Sequence, residues 1–269
     1  MRPPLLVHRA GAVRVLINNN PDARNALTPG FYEALRRELD DAQADRYTGA
    51  IVITGAAGFF CAGGDLKQLE KRRELPAAER QERIEALHDV VRAIRDCTKP
   101  VIAAVEGGAA GAGVSLALAC DLLVMARNAY FTLAYIKAGL TPDGGATFFL
   151  SEFVSRQLLT ELCLTGDRIG AERLASLSVV NRLVDAGDAE AQAIELATRI
   201  GDGPARASAR IKSLVRSAHR STLSTQLDAE TQLMVESLGD AESAEGIAAF
   251  LNKRAANYRS MRESGEKEH

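Results

Sequence analysis

Residues 107–113 read Gly-Gly-Ala-Ala-Gly-Ala-Gly, a run in which no side chain is larger than a methyl group. It is preceded by Pro100 and the apolar run 101–105, which suits a buried strand, and followed by an apolar segment at 114–119 and a second strand at 122–126. So little side chain lets something approach the backbone closely, and it frees amide N–H groups at a helix start, where an anion or a developing oxyanion is stabilised. On this run alone, tight packing of a helix on a sheet and a backbone binding site stand level. A second stretch, Phe59-Phe60-Cys61-Ala62-Gly63-Gly64-Asp65-Leu66-Lys67, also follows a strand (50–54) and also turns through glycines toward a helix. Two such turns in one domain can aim two backbone N–H groups at one carbonyl oxygen.

A chain of 269 residues with 46% apolar and 25% charged residues can bury a sizeable core. Its net charge of −2 supplies no field to gather nucleic acid or an anionic membrane. No uncharged stretch is a convincing membrane span, and the apolar run in MRPPLLVHRAG is too short for a signal peptide. Cysteines 61, 97, 120 and 163 stand singly, histidines 8, 88, 219 and 269 are scattered, and there is no zinc spacing. The expectation is a cytoplasmic, metal-free protein with reduced thiols and no bound prosthetic group.

Strands are expected near 5–8 and 13–17. Thr28-Pro29, a capping hydroxyl before a first-turn proline, opens a helix to about residue 44, with Phe31, Leu35 and Leu39 on one face. Ile84, Leu87, Val91 and Ile94 give an amphipathic helix over 76–96, with His88 beside the stripe as a packed or half-exposed residue. The charged stretch 71–81 reads as an exposed cover over a pocket. After Val184 the pattern turns wholly helical, over 186–201, 204–219, 223–238 and 243–258, so an α/β core at 1–185 and a helical region at 186–269 are expected.

FCAGGDLK and KPVIAAVEGGAAGAGVSLALACD together resemble the enoyl-CoA hydratase/isomerase (crotonase) superfamily. The likeness continues through GLTPDGG, LTGDRIGAERLASLSVVNRLVD and EGIAAFLNKR, which is nearly the whole chain. It implies an α/β fold, a spiral of β-β-α units with a C-terminal helical region that mediates trimerisation, as a trimer or a dimer of trimers. The substrate it implies is an acyl-CoA thioester. Matched position by position, the oxyanion-hole amides fall on Gly64 and Ala112, where small residues suit backbone donors. Coenzyme A would lie along Ala62, Asp65 and Leu66, with Lys67 a phosphate contact and Arg24 and Ala26 in the segment against the adenine. Phe250 and Lys253 match positions that reach the coenzyme of a neighbouring subunit. Read as residues alone, Lys67 and Lys253 are two solvated lysines.

The hydratases of this superfamily carry two glutamates, and here those positions hold Ser115 and Tyr135, neither an efficient base near neutral pH. Asp143, in Gly-Leu-Thr-Pro-Asp-Gly-Gly, remains. Pro-Asp-Gly is also turn chemistry and aspartate a favoured helix cap. The same position is the acid/base in a branch that includes ring-opened phenylacetyl-CoA isomerases, and one carboxylate suits a double-bond shift. Hydration is the second reading. A dehalogenase-like nucleophilic Asp143 with Tyr135 and His88, a thioesterase-type reaction and an RNA-binding relative rank below both. Asp121 reads as structural, and Glu106, where the family has asparagine, has no assigned role. The pocket walls come from segments such as 69–80, so the acyl group is not read from sequence.

Overall fold

A computed structural model of the chain describes residues 2–263; Met1 and residues 264–269, with them His269 and the end of the 186–269 region, lie outside the described residues. The strands are β1 (Leu5–Ala10), β2 (Val13–Asn18), β3 (Ala50–Gly55), β4 (Val101–Val105), β5 (Ala109–Ala110), β6 (Leu122–Ala126), β7 (Tyr130–Thr132), β8 (Arg168–Gly170) and β9 (Arg182–Val184). The helices of the first part are α1 (Pro29–Ala44), α2 (Leu66–Arg72), α3 (Ala77–Asp96), α4 (Ala112–Ala119), α5 (Ala146–Ser151), α6 (Arg156–Thr165) and α7 (Ala171–Ser176). Those that follow the last strand are α8 (Ala189–Gly201), α9 (Ala205–Ala218), α10 (Leu223–Leu238), α11 (Ala241–Leu251) and α12 (Tyr258–Glu263). None of the described helices is long and apolar enough to cross a membrane.

Six strands form one sheet in the order β1-β2-β3-β4-β6-β9, parallel except for the β1–β2 hairpin. A smaller sheet orders β5-β7-β8. Alternation along each strand divides the large sheet's faces. Leu16, Ile51, Ile53, Val101, Ala103 and Val105 pack in the cluster that holds the buried residues of α1, α3 and α4. Val13, Val15, Val52, Ile102, Ala104 and Val124 face the other way, against α8. The stripe Ala189, Ala193 and Ala197 brings α8 close to that face, because methyl groups at four-residue spacing leave no bulk between helix and sheet.

α1 begins as its sequence requires: the Thr28 hydroxyl accepts from the Phe31 amide, and Pro29 occupies the first turn. The expected helix over 243–258 is shorter. α11 ends at Leu251 because Lys253 adopts φ 52° and the Arg254 amide turns back to the Ala249 carbonyl, a left-handed C-terminal stop.

Two carboxylates join distant parts of the chain. Asp121 accepts from the Val101 amide at 2.8 Å and pairs with Lys212 Nζ at 2.7 Å, fastening α9 to the start of β4. Burial pushes the Asp121 carboxyl above its ordinary range, and the Lys212 charge opposes that rise. Glu106, at the end of β4, accepts from the amides of Gly187 at 3.0 Å and Ala189 at 2.9 Å. It therefore caps α8 from the end of the strand on which that helix packs. Glu106→Ala should lower unfolding stability by about 1–2 kcal/mol, the worth of a helix cap, while Glu106→Gln, which keeps an acceptor, should lose less. Urea unfolding midpoints check this, and equal midpoints for Glu106→Ala and the parent chain would refute the capping role.

Candidate active site

The two glycine turns meet backbone to backbone. Cys61 and Ala109 form a parallel bridge, the Ala110 amide donates to the Cys61 carbonyl at 2.9 Å, and the Leu27 amide donates to the Gly63 carbonyl at 2.8 Å. A Cβ on Gly63, whose φ is +82°, would lie 2.5 Å from the Ala110 carbonyl oxygen and 3.2 Å from the Ala112 nitrogen. A Cβ on Gly113 would lie 2.4 Å from the Cys61 carbonyl oxygen. Side chains are excluded at this junction, which is why the sequence is so bare there. Among the described residues the amides of Gly64 and Ala112 donate to no protein acceptor. Both residues line one cavity of about 640 Å³.

Asp143 lines the same cavity, half-buried, on the loop that precedes α5. Tyr135 donates its hydroxyl to Asp143 Oδ1 at 2.7 Å, and the Ser115 hydroxyl, fully buried in α4, donates to the Asp143 carbonyl oxygen at 2.8 Å. The aspartate is thus held at both its carboxylate and its main chain. Burial raises the Asp143 carboxyl above the ordinary carboxylate range, opposed by the Tyr135 hydrogen bond and then by the nearby His88 and Arg72 charges. The Tyr135 phenol is pushed up in turn, first by burial and then by the Asp143 charge. The cavity's other carboxylate, Glu70, is exposed on α2.

Leu66 and Lys67, in the first turn of α2, line the cavity as well. Asp65 caps that helix by accepting from the Lys67 amide at 2.9 Å. Arg24 and Ala26 lie on the loop joined to the first glycine turn: the Ala62 amide donates to the Arg24 carbonyl at 2.9 Å, and the Arg24 guanidinium stands 5.7 Å from the centre of the Phe59 ring. Asn25, between them and fully buried, ties this loop to the turn after β3 through a 2.8 Å bond to the Ala56 carbonyl. Phe250 and Lys253 do not reach this cavity; both are exposed in the helical region, Phe250 at 85%. His88 is half-buried 3.6 Å from Glu85 and is not part of the cavity lining. Leu69, Glu70, Arg72, Arg73 and Arg80 line the cavity, within the segment 69–80 that was expected to wall it, and Tyr32 of α1 and Arg83 of α3 line it without having been expected.

An α/β enzyme with a cavity floored by two bare backbone turns is the class that this architecture defines. The chain matches the family model described as Enoyl-CoA hydratase/isomerase over residues 8–261. It is 33% identical over 255 residues to the 1,2-epoxyphenylacetyl-CoA isomerase of Escherichia coli (strain K12), covering 94% of this chain and 97% of that protein. It is also 33% identical to the 2,3-dehydroadipyl-CoA hydratase of the same organism, over 95% of this chain and 98% of that protein. Among solved structures, an enoyl-CoA hydratase from Polaromonas sp. JS666 superposes with a TM-score of 0.92 at 42% identity, covering 94% of this chain and 98% of that one. The chain belongs to the enoyl-CoA hydratase/isomerase (crotonase) family, whose substrates are acyl-CoA thioesters.

The Tyr135 hydroxyl stabilises the charged form of Asp143, so Tyr135→Phe should raise the Asp143 pKa further. The Asp143 carboxyl, followed by NMR titration, should then titrate at higher pH than in the parent chain, and an unmoved titration would show that Tyr135 does not hold the carboxylate.

Proposed function

We propose that this protein shifts a carbon–carbon double bond in an enoyl-CoA, with Asp143 as the proton shuttle and the amides of Gly64 and Ala112 as the oxyanion hole. The observation that carries the reading is a half-buried carboxylate of raised proton affinity in the same cavity as two unpaired backbone donors. The thioester oxygen would accept from both amides. Ionised Asp143 would take a proton from the α-carbon of a 3-enoyl thioester, sending charge through the conjugated system onto that oxygen. The same carboxyl would return the proton at the γ-carbon, leaving a 2-enoyl thioester and the enzyme as it began. An oxyanion-hole donor is worth about 2.7–4 kcal/mol. A carboxyl whose proton affinity is raised toward the working pH is the better base.

Hydration through two carboxylates has less support. At the positions where the resemblance puts them stand Ser115 and Tyr135, and both hydroxyls are spent on Asp143. The relatives carry both isomerase and hydratase names, and what favours isomerisation here is the single half-buried carboxylate of the cavity.

In this reading coenzyme A lies along Ala62, Asp65 and Leu66, with Lys67 on a phosphate and the loop of Arg24 and Ala26 by the adenine. A neighbouring copy in a trimer contributes Phe250 and Lys253. The exposed apolar side chains of the helical region, among them Val215, Met234, Leu238 and Phe250, give such a trimer surface to cover. A chain truncated before Glu245 should lose mass toward the monomer in light scattering and show a raised KM for CoA esters. An unchanged KM would refute the contribution across subunits.

Asp143→Asn tests the central claim. Asparagine keeps the shape and can still cap a helix, so a capping aspartate predicts near-normal rates. A proton shuttle predicts retained fold and ester affinity with turnover down at least ~10²-fold. In deuterium oxide the parent chain should also exchange an α- or γ-proton of an enoyl-CoA, and the variant should not. Isomerisation by the variant at the parental rate would overturn the mechanism.

A further inference from the structure

The cavity changes character away from the two glycine turns. α2 and α3 form its outer wall, and each meets the catalytic floor through a leucine. Leu69 Cδ1 stands 3.2 Å from where a Cβ on Gly64 would lie, and Leu87 Cδ2 stands 3.3 Å from the corresponding point on Gly144, next to Asp143. One turn further from the floor on either helix, the residue type switches. Past Leu69 come Arg72 and Arg73, and before Leu87 come Arg83 and Ile84. A turn rises about 5.4 Å, so an acyl chain that leaves the thioester along this wall passes Leu69 and Leu87 first and then reaches Ile84 and the guanidinium groups together.

Two of these arginines stand at a boundary. Arg72 and Arg83, with Tyr32, line both this cavity and a second one of about 780 Å³ between α1 and α3. Neither guanidinium makes a hydrogen bond or ion pair among the described residues, whereas Arg36 and Arg92 nearby are paired with Asp89. Arg72 is half-buried, and its charge is felt at both the Tyr32 phenol and Asp143. Arg83 is exposed beside it. A half-buried, unpaired guanidinium such as that of Arg72 is better satisfied by an anion brought in with the ligand than by a methyl group, which would displace its water and return nothing.

We propose that the cavity takes an acyl chain whose far end carries a carboxylate, held by Arg72 and Arg83. The inference rests on the reading of Gly64 and Ala112 as the thioester end of the site. It concerns recognition rather than chemistry, so it is tested with saturated esters that cannot isomerise.

Dissociation constants are measured by calorimetry for straight-chain acyl-CoA esters of equal length that end in methyl, carboxamide or carboxylate, at four, six and eight acyl carbons. At the best length the parent chain should bind the carboxylate ester about ten- to a hundredfold more tightly than the methyl ester, the range of a charge-assisted hydrogen bond, with the carboxamide between them. Arg72→Met and Arg83→Met, each checked for folding by its urea midpoint, should bring that ratio toward one. The ratio, not either affinity, is the readout, because all the esters share the coenzyme. Equal binding of the three termini by the parent chain at every length would overturn the inference. So would arginine variants that weaken all three alike, which would assign these side chains to coenzyme A. Solvent exchange and the Asp143→Asn comparison decide the catalytic reading separately, so failure of one is distinguishable from failure of the other.

Discussion

The abutment of two backbone turns governs this structure. Residues 61–64 and 109–113 pair main chain to main chain through the Cys61–Ala109 bridge, at a separation that no Cβ on Gly63 or Gly113 would allow. The turns leave the ends of the parallel neighbours β3 and β4, so the sheet's register sets where each begins. Once they touch, the spacing between the Gly64 and Ala112 amides is a property of rigid peptide planes rather than of rotatable side chains. Such donors need no reorganisation when charge develops in front of them. The buried thiol of Cys61 fits this reading of the junction as dry. Burial pushes it up to about 12, so it stays protonated in the middle of the backbone contact.

Around that junction the fold separates two tasks. One face of the six-stranded sheet is closed by α8, whose alanine stripe packs close against it. The other face carries α1, α3 and α4 and opens into the space where Asp143, Gly64 and Ala112 gather. Hydroxyls from α4 and from the turn after β7 steady the aspartate's loop, so the one half-buried carboxylate in the cavity is set by elements that are themselves packed. The parts that differ in character from this floor, α2 and the first turns of α3, are also the most highly charged and exposed. A family can vary them without disturbing the junction.

Much of this was legible in sequence because the signals are local. Five of the large sheet's strands, β1 to β4 and β6, appear as short apolar or alternating runs, α1 announces itself by Thr28-Pro29, and the bare glycine turns are visible as composition. Asp143 was a turn residue by local chemistry, and only the family likeness raised it. The remainder was illegible for physical reasons. Glu106 serves amides at positions 187 and 189, and no short-range pattern marks a partner so far along the chain. Asn25 sits in a loop whose burial depends on the turn after β3. The segment with Arg72 was legible as a cover over a pocket, but which of its charges face the cavity, and that Arg83 joins them, is settled only once α1 and α3 are in position. The end of α11 at Leu251 depends on a left-handed residue that is not glycine, which composition cannot foretell.

The cap that Glu106 provides also gives the chain a direction of assembly. The carboxylate leaves the ribosome well before the amides of Gly187 and Ala189 that it serves, so during synthesis β4 can wait, already paired with β3, for a helix not yet made. α8 has no side-chain cap of its own at Asp188. Its first turn is therefore completed only by docking on the finished sheet, and closure of that face becomes a late, long-range event in folding. A variant that stalls there would display the apolar back of β2, β3, β4 and β6, the surface most apt to drive chains together.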